Sequence, residues 1–155
     1  MNSVEISPRS LEIARAFIIE ADVDFEIAKI ISGSSYHSRT IYFAQQAVEK
    51  IVKASLALKG IYTTDHNLSS LFSAVYRDAF PDMERLVKAM DSLERHGAKV
   101  RFPLYHRPNL PLWIPSLEYR EEDAQRAIRD GEYVYKALKA YLESQLPEPL
   151  PPFSP

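Results

Sequence analysis

A chain of 155 residues suits one domain, and folding it buries roughly two-thirds of the unfolded surface, enough for a self-sufficient core. A net charge of −2 argues against a protein that coats DNA or a membrane through bulk charge, which leaves only a local basic patch for an anionic partner. With no cysteine there is no disulfide, no thiolate metal site and no thiol nucleophile. The segment MNSVEISPRS lacks the basic stretch and apolar run of a secretory signal, and no apolar run approaches the roughly 18 residues that span a bilayer. The expectation is a cytoplasmic protein with no membrane partner.

The first helix is predicted from about Ser10 to Ser32, burying Leu11, Ala14, Ile18, Ala21, Phe25 and Ala28. Glycines 33, 60 and 97 each follow a helical pattern and read as left-handed helix stops. Helix two begins after Ser34 or Ser35, either able to cap it, and ends at Gly60. Its apolar stripe of Ile41, Ala44, Val48, Ile51, Val52 and Ser55 is widened by Phe43, Ala47, Ala54 and Leu58, so two of its sides are buried. Across from it Gln46, Glu49, Lys50 and Lys53 form a narrow polar stripe, either a solvated face held by ion pairs or the wall of a polar cleft.

Leu68, Leu71, Phe72 and Val75 mark a short third helix, which Asn67 or Asp65 can cap. Pro81 suits the first turn of a fourth helix, with Met83, Leu86, Val87, Met90 and Leu93 on its buried side. His96 reads as a cation at that helix's C-terminus. The last helix is predicted from near Ser116 to Gln145, burying Leu117, Ala124, Ile128, Val134 or Tyr135, Leu138 and Tyr141 or Leu142. Gly131 within it implies close helix packing or a bend. No segment alternates with period two for long enough to make a strand. The fold class is therefore all-α, an antiparallel up-and-down bundle of four long helices plus one short helix, with residues 1–145 as a single domain. The tail 146–155 is half proline and reads as a polyproline-like, poorly ordered end, with docking of Phe153 on a partner as the alternative.

The most unusual stretch is GAKVRFPLYHRPNLPLWIP, residues 97–115. Long structureless loops inside compact domains tend to be functional, and this one is too apolar for a free linker, so it should pack against something. Between Arg95 and Leu117 it holds no acid, while Arg95, Lys99, Arg101 and Arg107 make a local anion site, with His96 and His106 added. Other chemistries lack their residues. No histidine follows a Glu or Asp by three positions as a di-metal bundle needs, there is no glycine-rich phosphate loop, and no serine sits in a nucleophile elbow. Neither a metal nor an organic cofactor is expected.

Gln46-Ala47-x-Glu49-Lys50-x-x-Lys53-Ala54, preceded by Ala21-x-x-Asp24-Phe25-x-x-Ala28 and followed by His66-Asn67-Leu68-x-x-Leu71 and Arg101-Phe102-Pro103, resembles the HEPN family of prokaryotic helical domains. The resemblance runs in the right order from about Ala14 to Pro103. It implies nucleotide or RNA binding, singles out Asp24 as facing the same cleft as Gln46 and Lys53, and implies a homodimer working beside a nucleotidyltransferase in a toxin–antitoxin-like system. Arg101 and His106, spaced Arg-x4-His, are similar to the motif of the family's metal-independent ribonucleases. There the imidazole would handle the 2′-hydroxyl proton and the guanidinium would stabilise charge on phosphorus. Lys99, Arg107 and Tyr105 would position the RNA backbone or stack a base, and Lys53, Gln46, Glu49 and Asp24 would contribute to binding. Phe102 and Pro103 depart from the usual motif, in which the residue after the arginine is polar. A non-catalytic nucleotide-binding or protein-interaction module, or a purely structural oligomer, is the alternative, in which Arg101 would form a structural ion pair to Asp24 or Glu49.

Overall fold

The computed structural model describes residues 5–150. Helix α1 spans Pro8–Ile31 and starts two residues before the predicted position. The Ser7 hydroxyl accepts a hydrogen bond from the Ser10 amide at 3.1 Å, and Pro8 fits the first turn, where its missing N–H costs nothing. Ala14, Ile18, Ala21, Phe25 and Ala28 are buried as predicted. Helix α2, His37–Leu58, has no side-chain cap. Ser34, offered as that cap, instead donates its hydroxyl to the Ile31 carbonyl and closes α1. Gly60 (φ 72°) and Gly97 (φ 52°) take the left-handed conformation, whereas Gly33 does not.

Helix α3 spans Ser69–Tyr76 and α4 spans Met83–Glu94, so Pro81 lies ahead of α4's first turn rather than in it. A 3-10 turn follows at Gly97–Val100. The predicted last helix is two helices, a single turn α5 at Pro115–Glu118 and the long α6 at Glu121–Gln145. They separate because Tyr119 and Arg120 are extended, with the Asp123 carboxylate accepting from the Arg120 amide at 2.9 Å to begin α6 afresh. Leu117 sits on the separated turn and is 75% exposed, contrary to its predicted burial.

Helix α2 is the hub and packs on α1, α6, α4 and α3. The pairings fix the directions. Asp24 meets Lys50 while Ser10 meets Tyr62, so α1 and α2 are antiparallel; Asp22 meets Lys139 while Arg15 meets Glu148, so α1 and α6 are antiparallel too. Helix α4 runs against α6, with Ser92 on Asp130 and Asp82 on Tyr133. The result is the predicted four-helix up-and-down bundle with short α3 beside it, its core built around fully buried Ile18, Ile41, Ile51, Phe72, Leu86, Met90 and Leu138. Gly131 faces α2 and α1, where an added Cβ would meet Ala44 Cβ and Phe25 Cε2 at 3.6 Å.

The start of the proline-rich tail is held. Leu146 is buried, and Arg15 contacts both the carbonyl (3.2 Å) and the carboxylate (3.6 Å) of Glu148. This corrects the expectation of a loose end as far as residue 150. Phe153 lies outside the described residues.

Candidate functional site

Of the polar stripe of α2, Gln46 and Glu49 form a cleft wall, whereas Lys50 and Lys53 are held in ion pairs outside the cavity lining. Glu49 and Lys53 side chains are only 13% and 12% exposed, and Glu49 stands in a cavity of about 250 Å³ with Gln46, His66, Asn67, Glu94 and Arg101. Val48, Val52, Leu68 and Leu93 supply its apolar floor. Three chain segments converge to make it: the middle of α2, the loop entering α3, and the end of α4 with the 3-10 turn. Glu94 reaches back across that junction and its Oε1 accepts from the amides of Leu68 (2.7 Å) and Ser69 (2.9 Å). It thereby caps α3 in place of the predicted Asn67 or Asp65. Burial raises the Glu94 carboxyl above its ordinary value, and the two amide bonds pull it back down. Gln45 ties α2 to the same corner by donating to the Leu93 carbonyl at 3.1 Å.

Charges within the wall are mutually engaged. Glu49 meets Lys53 Nζ at 3.4 Å through one oxygen and His66 Nδ1 at 2.9 Å through the other. Asp24 pairs with Lys50 between α1 and α2, away from the cavity lining, so the shared cleft of Asp24, Gln46 and Lys53 does not form. Arg101 therefore has neither of the carboxylates suggested for it. Among the described residues it enters no ion pair, and its guanidinium lies 5.8 Å from the Tyr42 ring centroid and 5.5 Å from that of Phe102 while lining the cavity.

The basic loop does not concentrate its charge at one point. On a 3-10 turn of three residues per revolution, positions two apart diverge, so Lys99 and Arg101 leave on different sides. Lys99 faces the α4/α6 side with its ammonium 5.5 Å from the Trp113 ring centroid, and its carbonyl accepts from Trp113 Nε1 at 2.7 Å. Leu104 and Trp113 exchange backbone hydrogen bonds at 3.0 and 3.3 Å, folding the intervening residues into a hairpin-like excursion around Asn109 (φ 68°). Tyr105, His106 and Arg107 all sit exposed on this excursion. The expectation that the loop packs holds for Val100 and Trp113 and fails for its outer half, with Tyr105 69% and Leu112 61% exposed. The imidazole of His106 lies tilted against the Tyr105 ring, centroids 4.0 Å apart and planes at 44°, and is not among the residues lining the Arg101 cavity. Within the single chain, then, the members of Arg-x4-His do not line one cavity.

His96 differs from its predicted role as a helix-end cation. It packs inward, its Nδ1 3.0 Å from the Tyr119 hydroxyl, and burial lowers its pKa, with Lys99 adding to the effect and Asp123 opposing it. Tyr119 is pushed up to about 12, by burial first and by Asp123 second. His66, Asn67 and Glu94 are among the cavity residues that the sequence does not single out as a site, as is Gln45. The first two lay within a quoted motif, whereas Glu94 carried no local signal at all. Among the described residues no group of three or more His, Asp or Glu gathers as ligands for a metal ion, and no helix is long and apolar enough to cross a membrane.

Comparison with known proteins agrees with this architecture. The chain is similar to the protein named "Putative toxin MJ1304" from Methanocaldococcus jannaschii, with 32% identity over 148 residues that cover 92% of this chain and 96% of that protein. Its fold matches the crystal structure of ST0689, an archaeal HEPN homologue, at a TM-score of 0.63 and 22% identity, covering 83% of this chain and 97% of the other. The model of the HEPN domain matches residues 9–142, nearly the whole bundle. The chain belongs to the HEPN domain family.

Proposed function

We propose that this protein binds RNA or a nucleotide phosphate at the Arg101 cavity and acts as the toxin-like member of a two-component system, beside a small nucleotidyltransferase. The observation that carries the reading is the state of Arg101. It lines a polar cavity while Asp24 and Glu49 are already engaged by Lys50, Lys53 and His66, so its permanent charge is left for an anion supplied by a ligand. The name of the similar archaeal protein supports the toxin-like assignment.

Cleavage of the bound RNA is favoured by a second observation, the exposure of His106 with its ring tilted against Tyr105. An accessible imidazole can take the 2′-hydroxyl proton as the 2′-oxygen attacks phosphorus, and the 5′-oxygen leaves with a proton from an imidazolium or water. The products are a 2′,3′-cyclic phosphate and a free 5′-hydroxyl. Because His106 lies off the Arg101 cavity of its own protomer, the two would meet across a homodimer in which the excursion of one copy approaches the cavity of the other. The loop is not occluded by the helices of its own bundle, which disfavours a purely structural oligomer.

The test is incubation of the pure protein with a labelled RNA in EDTA, with Arg101→Ala and His106→Ala alongside. Cyclic phosphate ends from the wild type and a loss of at least about 100-fold in both variants are expected. Equal cutting by wild type and His106→Ala removes the catalytic reading. Absence of cutting together with a thermal shift by nucleotide that Arg101→Ala abolishes leaves the binding module, and absence of both removes the cavity as a ligand site.

A further inference from the structure

A second accumulation of positive charge lies between α4 and α6 and reaches the basic loop only at Lys99. Arg85 and Lys88 on α4 face Arg126 and Arg129 on α6 across a groove of about 570 Å³. The groove shares Ser92, Arg126 and Asp130 with a second hollow of about 200 Å³, to which Arg95 and Lys99 are added. The two form one furrow. Six cationic side chains line it against two carboxylates, Asp123 and Asp130, on a chain whose net charge is −2. Asp130 is occupied by the Ser92 hydroxyl at 2.7 Å. Arg95 is held by Asp91 at 2.7 Å, and among the described residues Arg85, Lys88, Arg126 and Arg129 make no ion pair.

We propose that this furrow holds the phosphate backbone of a single-stranded RNA, as a binding surface separate from the Arg101 cavity. The cations line both banks of the furrow, so an anionic strand laid along it is neutralised from two sides. From Arg85 to Arg95 the α4 bank is about 15 Å long, enough for more than one phosphate. An acidic protein offers the same charge, but a stable protein interface needs an apolar centre from which water is excluded. None of the exposed large hydrophobic residues, which include Ile30, Tyr36, Phe102, Tyr105 and Leu112, belongs to this furrow. Its one aromatic candidate, Tyr133, is half-buried and covered by the Arg85 guanidinium 3.9 Å from its ring centroid. That contact places the Arg85 guanidinium at the furrow's edge, where its remaining N–H groups are open to a phosphate. A surface with dense charge and no apolar anchor suits a polyanion whose affinity comes from counterion release.

The choice of RNA as the strand rests on the function proposed above, and the experiment separates the two. Fluorescence anisotropy would follow a fully 2′-O-methylated RNA, which cannot be cut by 2′-oxygen attack, across a salt series. For Arg126→Gln/Arg129→Gln the affinity should fall about tenfold at low salt, and the slope of log K on log salt should shrink by about 1.4, with the thermal melt unchanged. A nucleotide-induced thermal shift belongs to the cavity and should persist in this variant while disappearing in Arg101→Ala. Unchanged affinity and slope in the double variant would overturn the furrow whatever the cavity does. Competition by poly-glutamate as effective as that by RNA would overturn the assignment to a nucleic-acid strand.

Discussion

His96 shows how one side chain's setting reverses a role that its position suggests. At the end of a helix a protonated histidine is favoured by the dipole, yet here the ring is turned inward to Tyr119 and the cost of desolvating a cation outweighs that attraction. Lys99 and Asp123 are the charges that act on it, in opposite senses, and burial remains the largest effect. The linkage has a definite sign. The folded pKa lies below the ordinary 6.5, so between those two values the unfolded chain binds more protons and stability falls as pH falls through that window. Urea midpoints measured from pH 8 down to pH 5 should therefore decline, and the part of the decline due to this residue should vanish in His96→Gln, whose amide can still meet the Tyr119 hydroxyl. A wild-type profile that coincides with the variant's would show that folding does not lower the pKa of this ring.

At the scale of elements, α6 and α2 approach each other at Gly131, and the need for a glycine there is weak. The residue is helical, it is not in the left-handed region, and a Cβ would sit 3.6 Å from Ala44 Cβ and Phe25 Cε2, an ordinary contact distance. Gly131→Ala should thus gain about 1 kcal/mol from helix propensity and reduced unfolded-state entropy, raising the melting temperature by a few degrees. A lower melting temperature would mean that the helices must separate to admit the methyl group. The bundle was legible from such local signals: the spacing of Leu68, Leu71, Phe72 and Val75 locates α3 without reference to anything else. What was not legible is non-local. The donor-starved start of α3 is capped by Glu94, 26 residues away from Leu68, and no local pattern announces that. Leu104 and Trp113 form a single pair of bridging residues, too short to register as alternation, so the excursion they close read as featureless loop. The break at Tyr119 and Arg120 was missed because the apolar positions on either side continue in plausible helical spacing, even though Leu117 ends in solvent.

For the whole molecule the question is how a bundle presents Arg101 and His106, which do not line one cavity within a single chain. Spacing places Gln46 and Glu49 on one polar stripe without deciding between a solvated face and a cleft wall; the cleft exists only because α2, the entry to α3 and the end of α4 meet, and sequence order does not reveal that His66 closes on Glu49. The same geometry sets Arg101 in the cavity and His106 on the exposed excursion beyond Pro103. If the proposed cleavage joins Arg101 of one copy to His106 of the other, a two-fold pair has two such sites, each drawing one residue from each protomer. Arg101→Ala and His106→Ala would then each be inactive alone. After denaturation and renaturation of an equal mixture, half of the dimers are mixed, and in each mixed dimer one site has lost both residues while the other retains both. Cleavage should recover to about one quarter of the wild-type rate per protomer. If both residues act within one protomer, no combination restores an intact site and the mixture stays as inactive as its parts, so the recovered rate, read against a wild-type sample taken through the same renaturation, decides between them.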